Sequence, residues 1–206
     1  MGHFIHRGSP KKYPRVREAR RGQALVELLV ALSVLTVGLL ALFSLLSRSL
    51  STLRIVRDNY TATYLASEGV EVLKNLVDAG VLDMLRGESA RWDRDVPEGY
   101  YEVSYDSMAF GAQIADVGNG PEAALQGAQP LTFDPSTGFY GYGGGDPTPF
   151  RRVVRVEKVD ADPQTPEREI QEIAVNAFVA WETRGASFTI NAEGHFFNWT
   201  PFVGTP

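Results

Sequence analysis

From Ala24 to Ser47 the chain is almost entirely Leu, Val and Ala, and Glu27 is its one charge. About 20 such residues suffice to cross a bilayer as a helix. No proline occurs between Pro14 and Pro97, and Arg48 to Asp78 keeps good helix formers with apolar residues three and four apart. The pattern therefore predicts one helix from Gln23 to about Asp78, roughly 84 Å long at 1.5 Å per residue, with Gly80 as its stop. At 100° per residue, Leu53, Val56, Tyr60 and Tyr64 share one stripe of its outer half, and Leu65, Val72 and Leu76 share another. Two readings stay open: the second stripe packs on the protein's own sheet and the first meets neighbouring molecules, or the two form one broad core stripe on a gently curved helix.

Beyond Gly80 the period changes from helical to alternating. Tyr100 to Tyr105 reads as a strand, Gln113 to Pro130 as a loop, and Phe139 to Tyr142 as a short strand before a turn at Gly143 to Pro147. Arg151 to Val159 is a longer strand whose alternation breaks at Val153-Val154. Ile173, Val175, Ala177, Val179 and Trp181 alternate strictly and so face one side of a sheet. Thr183-Arg184-Gly185-Ala186 is a hairpin turn, followed by strand at Phe188 to Ile190 and His195 to Trp199. The fold class expected is α+β: a long N-terminal transmembrane helix continuing into a small antiparallel sheet.

Ahead of the apolar run, Arg7, Lys11, Lys12, Arg15, Arg17, Arg20 and Arg21 outweigh Glu18. Positive charge stays on the cytoplasmic side, so the chain is expected to be a single-pass protein with its N-terminus inside and its body exported. A cleaved secretory signal does not fit, because its apolar core is normally about 7 to 15 residues with a small-residue cleavage site beyond it. A lipoprotein signal is excluded, since there is no cysteine to acylate. A plain anchor remains open, with the body as a tethered binding module and Glu27 incidental. Against it stands the cost of a carboxylate in hydrocarbon, roughly 2.5 to 3.5 kcal/mol, which ordinarily signals a partner or a role.

The basic leader ending in Gly22, with Glu27 five residues beyond it and an unbroken apolar helix following, resembles a type IV prepilin or pseudopilin. The resemblance implies that a prepilin peptidase cuts after Gly22, that the new terminus at Gln23 is methylated, and that the apolar helix stays on the mature protein. It also implies that Glu27 pairs with a neighbouring subunit's terminal amine, a charge pair strengthened by low dielectric. The helices would then assemble into a pilus-like filament at the bacterial cytoplasmic membrane, driven by an assembly platform and motor ATPase from other proteins. Gln23 stands where the family most often has phenylalanine, and a free N-terminal glutamine can cyclise and lose its charge. The segments Phe150 to Val156 and Val179 to Glu182, with a late Asn198-Trp199, are similar to minor PilV-like or secretion-system I-type pseudopilins. On this reading the chain comprises a leader (1–22), a membrane half-helix (23–47), an exported half-helix (48–79) and a sheet domain (80–206).

Charge and chemistry narrow the remaining classes. Removing the leader's seven basic and one acidic residue from the chain's −5 leaves about −11 for the rest, which argues against general nucleic-acid binding. Without cysteines no disulfide supports the exported fold, unlike many major pilins. His3 and His6 lie in the leader and His195 stands apart, so no histidine cluster suggests zinc. Gly141 to Gly145 lacks the lysine and following helix of a phosphate loop. Asp93 with Asp95, and Asp160 with Asp162, are too few oxygens for calcium and read as solvated loop carboxylates. No catalytic residues, metal ligands or cofactor are expected, and an enzyme is not predicted.

Overall fold

The computed structural model describes residues 18–89, 91–106, 113–114, 120–160 and 170–198. The chain divides into two compact units, Met1–Leu53 and Arg54–Pro206. One helix, α1 (Glu18–Leu85), contributes to both. It starts five residues before the expected Gln23 and runs through Gly80. Gly80 is inside the helix for a reason of space: a Cβ there would run into the Trp92 carbonyl oxygen, so the residue marks a close approach rather than a stop. The stop is Gly87, which adopts φ +75°. Its amide donates to the Met84 carbonyl (3.0 Å) and the Glu88 amide to the Asp83 carbonyl (2.9 Å), the paired bonds of a Schellman cap.

The second unit is built on a six-stranded antiparallel sheet, which gives the chain an α+β fold. Its strands are β1 (Gly99–Tyr101), β2 (Pro130–Asp134), β3 (Phe139–Gly141), β4 (Asp146–Asp160), β5 (Ile170–Thr183) and β6 (Ala186–Phe197), with a short helix α2 (Pro121–Gly127) between β1 and β2. The order is β3-β2-β4-β5-β6, and β1 pairs with β4 at Tyr101↔Val154. Helix α2 corrects the reading of Gln113 to Pro130 as loop, and β2 begins at Pro130. The strand expected over Tyr100 to Tyr105 stops at Tyr101. The segments Phe188 to Ile190 and His195 onward are one strand; Trp199 lies outside the described residues. The turn joining β5 to β6 has Arg184 at φ +54° and Gly185 at φ +76°, the type I′ geometry that suits strand twist.

The alternating residues Ile173, Val175, Ala177, Val179 and Trp181 are all buried on one face of β5. They form one core with Ala62, Leu65, Ala66, Val72, Leu73, Val77 and Val81 of α1. The other face is covered by Ala124, Leu125 and Ala128, against which Val153 packs with Tyr100, Phe178 and Ala180 partly buried. This explains the broken alternation at Val153-Val154: Val154 belongs to the α1 side, Val153 to the α2 side, and both are buried.

Arg152, on the same strand as these valines, has none of its surface exposed. A buried guanidinium requires partners, and it donates to the Leu65 carbonyl (3.0 Å), the Glu68 carboxylate (3.0 Å) and the Val103 carbonyl (2.5 Å). The Tyr142 hydroxyl donates to the Arg152 carbonyl at 3.2 Å, and burial pushes this phenol up to about 12, so it keeps its proton.

Candidate functional site

Among the described residues, the first unit is a single helix. Residues 22–50 of α1 are all exposed. The most apolar window of the helix has mean hydropathy 2.6 and no buried residue, so it is long and apolar enough to cross a membrane. Ala24 to Ser47 spans about 36 Å at 1.5 Å per residue, against about 30 Å of hydrocarbon. Two of its four hydroxyls bond within the helix, as suits a polar group in lipid: Ser33 Oγ donates to the Leu29 carbonyl and Thr36 Oγ1 to the Leu32 carbonyl, both at 2.7 Å. Glu27 has no such internal partner among the described residues, and it is exposed.

Gly22, Gln23 and Glu27 lie on this helix in its first three turns. Gln23 and Glu27 are four residues apart and therefore on one face, one turn from each other. Nothing lies within 4 Å of a Cβ built on Gly22. The Gly22 peptide is helical. Residues 1–17, with most of the N-terminal basic residues and with His3 and His6, lie outside the described residues.

The outer half of α1 divides as the two stripes predict. Tyr60 is 65 % and Tyr64 74 % exposed, with Leu53 and Val56 also exposed, whereas Leu65 is 2 % exposed and Val72 is buried. Leu76 is partly buried against the core.

The candidate acidic sites have other roles. Asp93 is buried, not solvated: Arg91 donates to both its oxygens (2.9 and 2.6 Å) and Lys158 Nζ reaches it at 2.8 Å. Burial alone would push the Asp93 carboxyl up, but the hydrogen bonds from Arg91 and Lys158 and their charges outweigh it and hold it below the usual carboxylate value. Asp95 pairs with Arg94 at 3.4 Å on the surface, and Asp162 lies outside the described residues. His195 bonds the Glu172 carboxylate through Nδ1 and Glu193 through Nε2 (3.1 Å). The Glu172 hydrogen bond leads the causes that raise its pKa above the ordinary histidine value. Among the described residues no three His, Cys, Asp or Glu side chains are grouped to hold a metal ion. The Lys158–Asp93 pair and the Arg152 cluster escaped sequence reading because their partners are 65 and 84 residues away.

Residues 17–43 match the family model described as the prokaryotic N-terminal methylation motif. The match spans Gly22, Gln23 and Glu27. In this segment the chain is similar to type IV prepilins, and the long helix followed by an antiparallel sheet is consistent with a type IV pilin-like protein. No curated protein and no solved structure matches the chain.

Proposed function

We propose that this chain is a pilin or pseudopilin subunit, cut after Gly22 by a prepilin peptidase and assembled through α1 into a type IV pilus-like filament. The observation that carries the reading is the methylation motif over residues 17–43, on a helix whose first half has no partner in its own chain among the described residues. The role is structural rather than enzymatic. Before assembly the bilayer holds the apolar half of α1. Extraction into a filament exchanges lipid for the helices of other subunits, so this surface stays out of water throughout. Glu27, one turn from Gln23, meets the terminal amine that cleavage creates on a neighbouring subunit, and that pair sets register. The exposed stripe of Leu53, Val56, Tyr60 and Tyr64 continues the contact outside the membrane. The partners are other pilin-type subunits, the peptidase, and an assembly platform with its motor ATPase; the missing cysteines favour a pseudopilin or minor pilin over a major one.

Co-expression with a prepilin peptidase, followed by intact mass, tests the reading. The expected product begins at Gln23, is heavier by one methyl group, and is lost in Gly22→Leu. Full-length chain persisting in the membrane beside active peptidase overturns cleavage and leaves an anchored binding module in its place.

A further inference from the structure

β6 is twelve residues long and, among the described residues, pairs on one side only, with β5. Its register follows from the two-residue turn: Thr183↔Ala186 closes the hairpin as a hydrogen-bonded pair, so the even positions of β6, Phe188 and Ile190 among them, exchange their bonds with β5. The amides at the odd positions, Ser187, Thr189, Asn191, Glu193 and His195, point away from it. Such an open edge is a template for a further strand, and β6 lacks the proline or lysine that would blunt it.

The shelf beside this edge is unfinished. Phe188, Ile190, Ala192 and Phe196 lie on the α1 side of the sheet and are only partly buried against the core. Helix α1 crosses closely at Gly194, where a Cβ would meet Val70 Cγ1 at 2.7 Å. The residues one and two turns before Val70 on that flank are Ser67 and Thr63, both small and exposed. Lys74, one turn after it, is already paired with Asp78 at 2.6 Å. The small side chains leave the shelf open beside the edge. On the opposite face β5 presents Glu172 and Glu182 and β6 presents Glu193, with His195 held between Glu172 and Glu193.

We propose that the free edge of β6 docks an extended strand of a partner protein, apolar on the side facing α1 and basic on the other. Main-chain hydrogen bonds to the outward amides supply affinity, and alternate side chains supply specificity. A second copy of the chain fits less well. Antiparallel self-pairing that sets Phe188 across from Phe196 brings the two Glu193 carboxylates into diagonal contact, where like charges repel. The proposal does not depend on cleavage at Gly22 and survives its failure.

The test uses the full chain in detergent micelles and a capped peptide of about nine residues alternating valine and lysine, with hydrogen exchange read residue by residue. The peptide is expected to slow exchange at Thr189, Asn191 and Glu193 by roughly tenfold or more, the order expected when exposed strand amides become bonded. Asn191→Pro removes an outward amide that the β5 ladder does not use, so it should abolish the protection at Thr189 and Glu193 while the β5-facing amides stay slow. Glu193→Lys gives an independent arm, weakening the peptide without touching the backbone. No slowing at saturating peptide, or slowing indifferent to both substitutions, overturns the proposal. Protection of the same amides that grows with protein concentration and needs no peptide assigns the edge to a second copy and also overturns it.

Discussion

The two halves of α1 are one helix written for two solvents. In the first, every residue from Gly22 to Leu50 is exposed and most are apolar, so nothing among the described residues packs on this apolar surface. In the second, a stripe of apolar residues from Ala62 to Val81 is buried against the sheet. The difference shows what decides a helix's surroundings: not its propensity, which is continuous across both halves, but whether its apolar residues are spread around it or gathered on one side. The first half needs lipid or other helices; the second brings its own partner.

Damaging the second half alone tests this contrast hardest. Arg152→Ala removes the partner of the part-exposed Glu68 carboxylate and of the Val103 carbonyl and leaves a cavity where a buried side chain was, and should destabilise the sheet domain by about 2 to 4 kcal/mol without changing how the first half partitions into membrane. Thermal melting in micelles and membrane fractionation read the two effects separately. Asp93→Asn should cost less, about 1 to 3 kcal/mol, because a hydrogen-bonding side chain of the same shape remains. It carries a pH signature as well. The Asp93 carboxyl is held below its unfolded value, so its contribution is present above that value and fades as pH falls through the folded one. The variant's melting temperature should therefore fall less steeply than the native protein's in the acid range below about pH 4.

Tyr60→Asp probes the division between stripes: melting should stay within about 0.5 kcal/mol of native, while incorporation into filaments is blocked. A large loss of stability would return Tyr60 to the core. The smallest effect is at His195, where the bond to Glu172 favours the charged ring. Any stabilisation from this pair is present below the unfolded histidine value and is lost as pH rises through the raised one. Glu172→Gln should lower the midpoint of its NMR titration.

Much of this arrangement is legible in the sequence where a period repeats long enough to count. The five alternating residues from Ile173 to Trp181 fall on the buried face of β5, and the stripes of α1 divide as their spacing requires. Helix α2 is not legible in that way. It has seven residues, buries only Ala124 and Leu125, and sits in a Gly, Ala and Pro background. Its one local signal is Pro121 at the start, a position that suits proline. Gly80 misleads because a glycine in a helix serves either an ending or a close neighbour, and Trp92 is the neighbour here. The motif match covers the candidate processing residues Gly22 and Gln23 and the candidate assembly residue Glu27. The partners of Arg152 and Asp93 are set by tertiary packing, which no local pattern encodes.

Arg152 has a mechanical meaning as well as a thermodynamic one. Its guanidinium joins the Leu65 carbonyl and Glu68 of α1 to β4 and to the Val103 carbonyl. A tug transmitted along the outer half of α1 reaches the sheet through this side chain as well as through the apolar core beside it. With three bonds from one guanidinium beside that core, the side chain acts as a rivet that ties the sheet to this stretch of helix.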